Sequence, residues 1–212
     1  MKPIVQFCSL AAPIIGRNID TDQIVPARFL KMDRRLAGGY GPYLFHDLRH
    51  DAQGAPEPGF ILNQPKFSQA KILVAEHNFG CGSSREGAVY SLADAGFQAV
   101  IAPSFGDIFA SNCLKNGMLP IRLDEQVVTE LIALLLAGTA DCIVQVDLEQ
   151  QSVQWGLPGT RGGVRYNFAI DAFWRECLLK GVDEIDLTLS YMDQISAFEA
   201  DYMQQNPWLN SI

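Results

Sequence analysis

The chain contains the stretch Lys71-Ile-Leu-Val-Ala-Glu-His-Asn-Phe-Gly-Cys-Gly-Ser-Ser-Arg-Glu-Gly87, and more of the fold follows from it than from any other segment. Its first six residues form a short apolar run, which is typical of a buried strand. Two glycines then free the backbone for a tight turn. Ser83 and Glu86 have the spacing of a capping box, and apolar residues recur at helical spacing as far as Gly96. We therefore predict a strand, a glycine turn and a helix.

Three polar side chains follow the turn, where the predicted helix begins: Ser83, Ser84 and Arg85. A helix N-terminus offers unpaired N–H groups and partial positive charge, and an arginine beside it can grip a carboxylate or phosphate. A simple cap at Ser83 with a solvated Arg85 is the competing interpretation. A cap alone requires neither the second serine nor the paired glycines, so we predict a site for a small anionic ligand.

Several familiar motifs are excluded. The dinucleotide-binding fingerprint fails because its sixth position, counted from Gly80, is Arg85. No P-loop string exists, and Ser84 lies between Gly82 and Glu86 rather than in a nucleophile elbow. A thiol nucleophile at Cys81 with a histidine base at position 77 stays open as an alternative.

The composition limits the possible function. The chain has 212 residues, 48% hydrophobic and 19% charged, as expected for one globular domain spanning 1–212. Its net charge of −8 argues against nucleic acid as a partner. No apolar stretch approaches the ~18–20 residues of a membrane span. The five cysteines have no cluster spacing and the histidines are scattered, so we predict reduced thiols, a cytoplasmic protein and no metal site in this chain.

After the glycine turn, strands and helices alternate, which predicts a mixed α/β architecture in three layers. We expect a capping box at Ser104–Asp107 and an apolar stripe packed into the core on a final helix opened by Ser190. We expect a surface loop at 36–59 that includes His46 and His50. The predicted strands are a first strand within residues 1–16, then 71–76, 98–102, 118–123, 142–148, 152–155 and 164–170, the last two joined across Gly159–Gly163. The predicted helices start after Ser83, Ser104, Asp124, Asp171 and Ser190, and the one after Asp124 ends at Gly138.

A second polar string is Asn18-Ile-Asp-Thr-Asp-Gln-Ile-Val-Pro26. Its carboxylates, Asp20 and Asp22, could bind a metal, hold a neighbouring basic side chain in position, or cap the turn through local hydrogen bonds. Pro26 starts a predicted helical turn that leads to Lys31 and Arg34, and either cation could hold a second anionic group.

With these strings in place, the chain closely resembles the small subunits of 3-isopropylmalate dehydratase in the aconitase superfamily. The similarity extends from about residue 14 to 200. It rests on Asn-x-Asp-Thr-Asp-x-Ile-x-Pro at 18–26, Leu-Asn-Gln-Pro at 62–65, Asn-Phe-Gly-Cys-Gly-Ser-Ser-Arg-Glu at 78–86, Ile-Ala-Pro-Ser-Phe-x-Asp-Ile-Phe at 101–109, Asn-Gly-Met-Leu-Pro at 116–120 and Gly-Val-Asp-Glu-Ile-Asp-Leu-Thr-Leu at 181–189.

The resemblance implies a three-layer β/β/α swivelling domain of the aconitase type that is half of an enzyme. A separate large subunit would carry a [4Fe–4S] cluster on three cysteines, with one iron open to the hydroxyl and a carboxylate of the substrate. This chain would bind no cofactor itself. The implied reaction dehydrates 2-isopropylmalate and rehydrates the enoic diacid to 3-isopropylmalate, in leucine biosynthesis.

The resemblance also assigns roles to individual residues. Ser83 would be the catalytic base, as an alkoxide, with Arg85 on a substrate carboxylate and Ser84 assisting it. Asp22 would match the active-site aspartate of the superfamily. A mobile specificity loop at about 29–59 would bring Lys31, Met32 and Arg34 to the substrate.

Two departures from the family pattern concern the substrate. Gly87 replaces the usual histidine, and the stretch from Lys31 to Tyr40 is slightly longer than usual. A paralogue that acts on citramalate or a dimethylmalate is therefore an alternative, as is a carboxylate-binding module without chemistry.

Overall fold

The computed structural model describes residues 1–137, 142–156 and 163–211. Their strands form one mixed, seven-stranded sheet in the order β4-β3-β2-β1-β5-β6-β7 when numbered along the chain. The strands are β1 (Gln6–Ile14), β2 (Ile72–Ala75), β3 (Ala99–Ala102), β4 (Leu119–Arg122), β5 (Ile143–Asp147), β6 (Ser152–Trp155) and β7 (Val164–Asn167). Strands β1 to β4 run parallel to one another. Strands β5, β6 and β7 extend the sheet from β1, and each of them is antiparallel to the strand before it in the sheet.

Helices connect and cover the strands. They are α1 (Thr21–Ile24), α2 (His46–Arg49), α3 (Glu86–Asp94), α4 (Asp107–Lys115), α5 (Glu125–Ala137), α6 (Ala172–Lys180), α7 (Glu184–Leu189) and α8 (Met192–Gln205). Short 3₁₀ turns are Ala27–Lys31, Gly41–Tyr43, Ile61–Asn63, Pro65–Phe67 and Pro207–Ser211. No helix in the described ranges is long and apolar enough to cross a membrane.

Two hydrophobic cores lie on opposite faces of the parallel strands, because successive side chains of a strand point to opposite faces. Leu73 and Val100 pack in the core that holds α3 and α4. Ile72 and Ile101 pack in the other core, with α5 and residues of the antiparallel extension. The predicted α/β class is therefore confirmed.

The predicted strands are confirmed, with ends one to three residues shorter in several cases. The two predicted capping boxes are wrong. The N-cap of α3 is Arg85 and that of α4 is Gly106, and neither makes a side-chain cap hydrogen bond. Ser104 is used differently, because its Oγ accepts a hydrogen bond from the backbone N–H of Asn78 at 2.8 Å. The predicted helix end at Gly138 and most of the Gly159–Gly163 connection lie outside the described residues.

The predicted surface loop at 36–59 is only partly correct. Leu44 and Phe45 within it are buried in the core beside α3, which pulls this segment onto the body of the protein. His46 and His50 are not on an irregular loop. They lie on and directly after α2, with ring centroids 4.6 Å apart.

The C-terminal region contains the largest difference from expectation. Asp171 caps α6 as predicted, accepting hydrogen bonds from the N–H groups of Phe173 and Trp174. The final helix also forms, but its apolar stripe is not core: no residue of α8 is buried. The six-residue helix α7, capped by Asp183, was not predicted from the sequence.

Candidate active site at the strand ends

Three loops meet where the parallel strands β1, β2 and β3 end. Isolated parallel bridges join Asp20 to Cys81 and Phe79 to Phe105, so the three segments continue side by side beyond the sheet. In open α/β sheets, ligands bind outside the carboxyl ends of the strands. The two polar strings found in the sequence, 18–26 and 78–87, thus converge on one location.

The glycine turn has a fixed backbone. Asn78, Gly80 and Gly82 all have positive φ angles, of 61°, 73° and 91°. A Cβ at Gly80 would lie 2.2 Å from the ring of Phe109, so this position excludes any side chain. Asn78 also donates from Nδ2 to Oδ1 of Asn18 at 2.8 Å, which ties the turn to the loop after β1.

Ser83 and Ser84 are exposed at the end of this turn, directly before α3. The carbonyl of Ser83 accepts hydrogen bonds from Oγ1 of the buried Thr21 at 3.0 Å and from the N–H of Arg85 at 2.8 Å. Its backbone is therefore held, and the residue itself is exposed. No side chain caps α3, so its first N–H groups are free to face an anion.

Arg85 and Asp22 form an ion pair across the two loops, from Nη1 to Oδ1. Their side chains are 31% and 50% exposed, so both reach the same open surface as the serines. The other carboxylate of the string, Asp20, caps α1 through a reciprocal pair of hydrogen bonds with Gln23. Of the interpretations of the two aspartates, capping therefore applies to Asp20, and pairing with a neighbouring basic group applies to Asp22.

The predicted specificity loop at about 29–59 (the specificity segment) packs through its first residues on the beginning of α3. A Cβ at Gly87 would lie 2.4 Å from Cδ2 of Leu30, so the leucine fills the space that a side chain at position 87 would need. Lys31 and Met32 follow directly and are exposed. The structure thus brings this end of the segment to the helix turn that carries Arg85.

Arg34 lies elsewhere. Its Nε and Nη2 donate to both oxygens of Asp94, at 2.9 and 2.8 Å, and its guanidinium stacks 3.9 Å from the ring centroid of Tyr90. Asp94 is the last residue of α3, about 13 Å along the helix axis from Arg85. The structure therefore does not bring Arg34 together with the serines.

The same carboxylate also accepts the N–H of Tyr40, at 2.9 Å, so Asp94 holds the specificity segment at two points. Burial alone would raise the pKa of Asp94, but the hydrogen bonds from Arg34 and Tyr40 bring that pKa below its ordinary value. The charged carboxylate is thus stabilised where it anchors the segment.

Cys81 is half-buried in the glycine turn, and its Sγ donates to the carbonyl of Asn18 at 3.3 Å. Partial burial raises the pKa of this thiol, and the charge of Asp20 raises it further. An activated thiol nucleophile needs a lowered pKa, so these surroundings do not favour the thiol-enzyme alternative.

The described part of the chain does not fit an iron–sulfur cluster or another metal. Within residues 1–137, 142–156 and 163–211, no group of three or more His, Cys, Asp or Glu side chains could hold an ion. The cysteines are separate thiols, three of them buried.

Three residues that position the site are not evident from the sequence: Thr21, Ser104 and Asp94. Thr21 lies between two aspartates, and nothing in the sequence pattern indicates that it is buried with its hydroxyl bonded to the carbonyl of Ser83. The role of Asp94 cannot be read from the sequence around it, because its partners, Arg34 and Tyr40, come from a distant loop.

Comparisons with known proteins agree with this geometry. The family model described as "Aconitase C-terminal domain" matches residues 1–126, so the fold is that of an aconitase-type C-terminal domain. A second model, which describes the C-terminal domain of the 3-isopropylmalate dehydratase small subunit, matches residues 184–212.

Curated relatives make the assignment narrower. The chain is 45% identical to a 3-isopropylmalate dehydratase small subunit of Hahella chejuensis, over 99% of this chain and 98% of that one. It is 46% identical to that of Dinoroseobacter shibae, over 99% of this chain and all of that one. The chain belongs to the family of 3-isopropylmalate dehydratase small subunits. A crystal structure of 3-isopropylmalate dehydratase (LeuD) from Methanocaldococcus jannaschii has the same fold, with a TM-score of 0.58 and 24% identity over 93% of this chain and 99% of that one.

Proposed function

We propose that this chain is the small subunit of a two-chain hydro-lyase that interconverts 2-isopropylmalate and 3-isopropylmalate, a step of leucine biosynthesis. The relatives' names support the reaction. The main support for the site is the position of Ser83, Ser84 and Arg85. They lie together at the start of α3, which no side chain caps, beyond the ends of the parallel strands.

The reaction needs a base for a proton on carbon. Dehydration removes a proton from the carbon next to a carboxylate and a hydroxide from the neighbouring carbon, giving an enoic diacid and water. Rehydration returns the proton and hydroxyl in exchanged positions. We assign the proton transfer to Oγ of Ser83, which accepts the proton as an alkoxide and gives it back in the second half of the reaction.

A serine hydroxyl is a weak acid, so its alkoxide must be stabilised. The free N–H groups of α3 and the guanidinium of Arg85 supply positive potential beside Ser83. Such stabilisation is strong only when water is excluded. Ser83 is exposed on this chain, so we infer that another polypeptide covers it during turnover.

The large subunit of the dehydratase is the covering chain that we propose. Since the described residues fit no cluster, we assign the [4Fe–4S] group, which would act as a Lewis acid, to that subunit. The cytoplasmic location stays a prediction.

Arg85 is well suited to a substrate carboxylate, since its fork can make two parallel hydrogen bonds. Ser84 would assist it, and Asp22 would fix the guanidinium between turnovers. Met32, beside the Leu30–Gly87 contact, would face the alkyl end of the substrate, and Lys31 would hold its second carboxylate. Arg34 is engaged by Asp94, so we assign it to holding the specificity segment on α3, while direct contact with substrate stays a prediction.

Reconstitution with a cluster-bearing large subunit tests the proposal. We expect turnover of isopropylmalate, little turnover of citramalate or dimethylmalate, and none with either chain alone. In the same assay, Arg85→Lys should raise KM strongly, because an ammonium cannot make the forked contact. A preference for another alkylmalate would reject the assigned substrate, and unchanged KM in Arg85→Lys would reject the carboxylate contact.

A further inference from the structure

The C-terminal helix α8 displays an apolar stripe that nothing in the described chain covers. Tyr191, Ile195, Phe198 and Tyr202 follow one another at spacings of four, three and four residues, which places them on one face of a helix. They are 41%, 38%, 68% and 47% exposed, and the rings of Phe198 and Tyr202 stack on each other.

A helix with such an uncovered apolar face is not expected to be stable by itself. A 14-residue helix is only marginally stable alone in water, and helices in proteins usually gain stability by burying an apolar face. The preceding helix, α7, packs on the body through the buried Leu187, whereas α8 buries no residue. The physical expectation is that a second surface receives the stripe.

The charge of the C-terminal segment, residues 182–212, indicates what kind of surface would receive the stripe. Residues 182–212 contain no Lys or Arg, and their acidic residues are Asp183, Glu184, Asp186, Asp193, Glu199 and Asp201. At about 100° per residue, Glu199 and Asp201 lie about 80° to either side of the stripe. The stripe is thus apolar with an acidic rim, the arrangement that pairs with an apolar groove bordered by basic residues.

A second copy of this chain fits poorly, because it would bring an equally acidic segment against the first. An anionic membrane surface is disfavoured by the same repulsion. The segment also coincides with the match to the family model for the C-terminal domain of these small subunits, which covers 184–212 and begins at the first residue of α7. Residues 1–126 are matched instead by the general aconitase-type model.

We propose that α8 docks its stripe into an apolar groove, rimmed by lysine or arginine, on the large subunit of the dehydratase. This inference rests on the proposed function, which supplies that subunit. The helix acts as a tether that gives affinity and orientation, separate from the chemistry at Ser83.

The experiment measures the dissociation constant between the full-length chain and the purified large subunit, by fluorescence anisotropy. Phe198→Ala should raise it about tenfold or more, as removal of a central aromatic anchor does. The matched control is Gln204→Ala, an exposed change on the opposite face of the same helix, which should leave it unchanged. Thermal unfolding of each variant confirms that it is folded.

A charge-reversal pair, Glu199→Lys with Asp201→Lys, should weaken binding more at low salt than at high salt. Equal binding by wild type and Phe198→Ala would overturn the inference, as would stronger binding after charge reversal. A wild-type dimer that Phe198→Ala dissolves, seen by light scattering, would overturn it in favour of a second copy. Binding that depends on Phe198 without turnover of any alkylmalate would instead reject the proposed function and keep the tether.

Discussion

Replacing Gly87 by alanine tests the packing of the specificity segment on α3. The new Cβ would lie 2.4 Å from Cδ2 of Leu30 and 3.3 Å from Cδ1, so the leucine has to move. Overpacking of this kind costs about 1–3 kcal/mol. Alanine in a helix is favoured over glycine by about 1 kcal/mol. The single variant should therefore lose about 0–2 kcal/mol of unfolding free energy.

The background Leu30→Ala removes the obstructing atoms. In that background Gly87→Ala should become stabilising by up to about 1 kcal/mol, because only the helix preference remains. Urea unfolding of wild type, both single variants and the double variant gives a coupling energy, expected at about 1–3 kcal/mol. A coupling within about 0.5 kcal/mol of zero would refute the contact as the reason for glycine at this position.

Three further changes test the site. Gly80→Ala combines a left-handed backbone with a clash against Phe109, so its unfolding free energy should fall by about 2–5 kcal/mol in the same assay. Asp94→Asn should lose about 1–2 kcal/mol at pH 7 through its bond with Arg34. Since the pKa of Asp94 is lowered on folding, this gap should close as the pH falls below about 4 through that lowered pKa, and a gap that persists in acid would contradict it. Cys81→Ser in the reconstituted enzyme should change turnover less than about threefold, whereas a thiol nucleophile would lose at least about a hundredfold.

Much of the site could be predicted from the sequence because its groups are local. The strand, the glycine turn and the helix are adjacent, and their residues carry the backbone and charge preferences that define the turn. The pairing of Asp22 with Arg85 joins two strings that were each visible alone. Both strings follow parallel strands, whose ends share one edge of the sheet.

What the sequence did not reveal depends on contacts between distant segments. Ser83 and Ser104 both fit a cap pattern, yet neither caps a helix. The carbonyl of Ser83 accepts a hydrogen bond from the distant Thr21, and the hydroxyl of Ser104 accepts one from the backbone of the distant Asn78. The stripe on α8 has the periodicity of a core helix, and periodicity cannot tell a face that meets its own core from one that meets another chain. Burial of Phe45 within a glycine-rich segment was hidden for a similar reason.

The most direct test of the central claim compares the adjacent serines in the enzyme reconstituted with its large subunit. The formation of the enoic diacid is followed by absorbance at saturating substrate. Ser83→Ala should lower kcat by at least about a hundredfold, the scale of a lost general base. Ser84→Ala should act mainly on KM. A Ser83→Ala enzyme that assembles and retains more than about a tenth of the wild-type kcat would contradict the account.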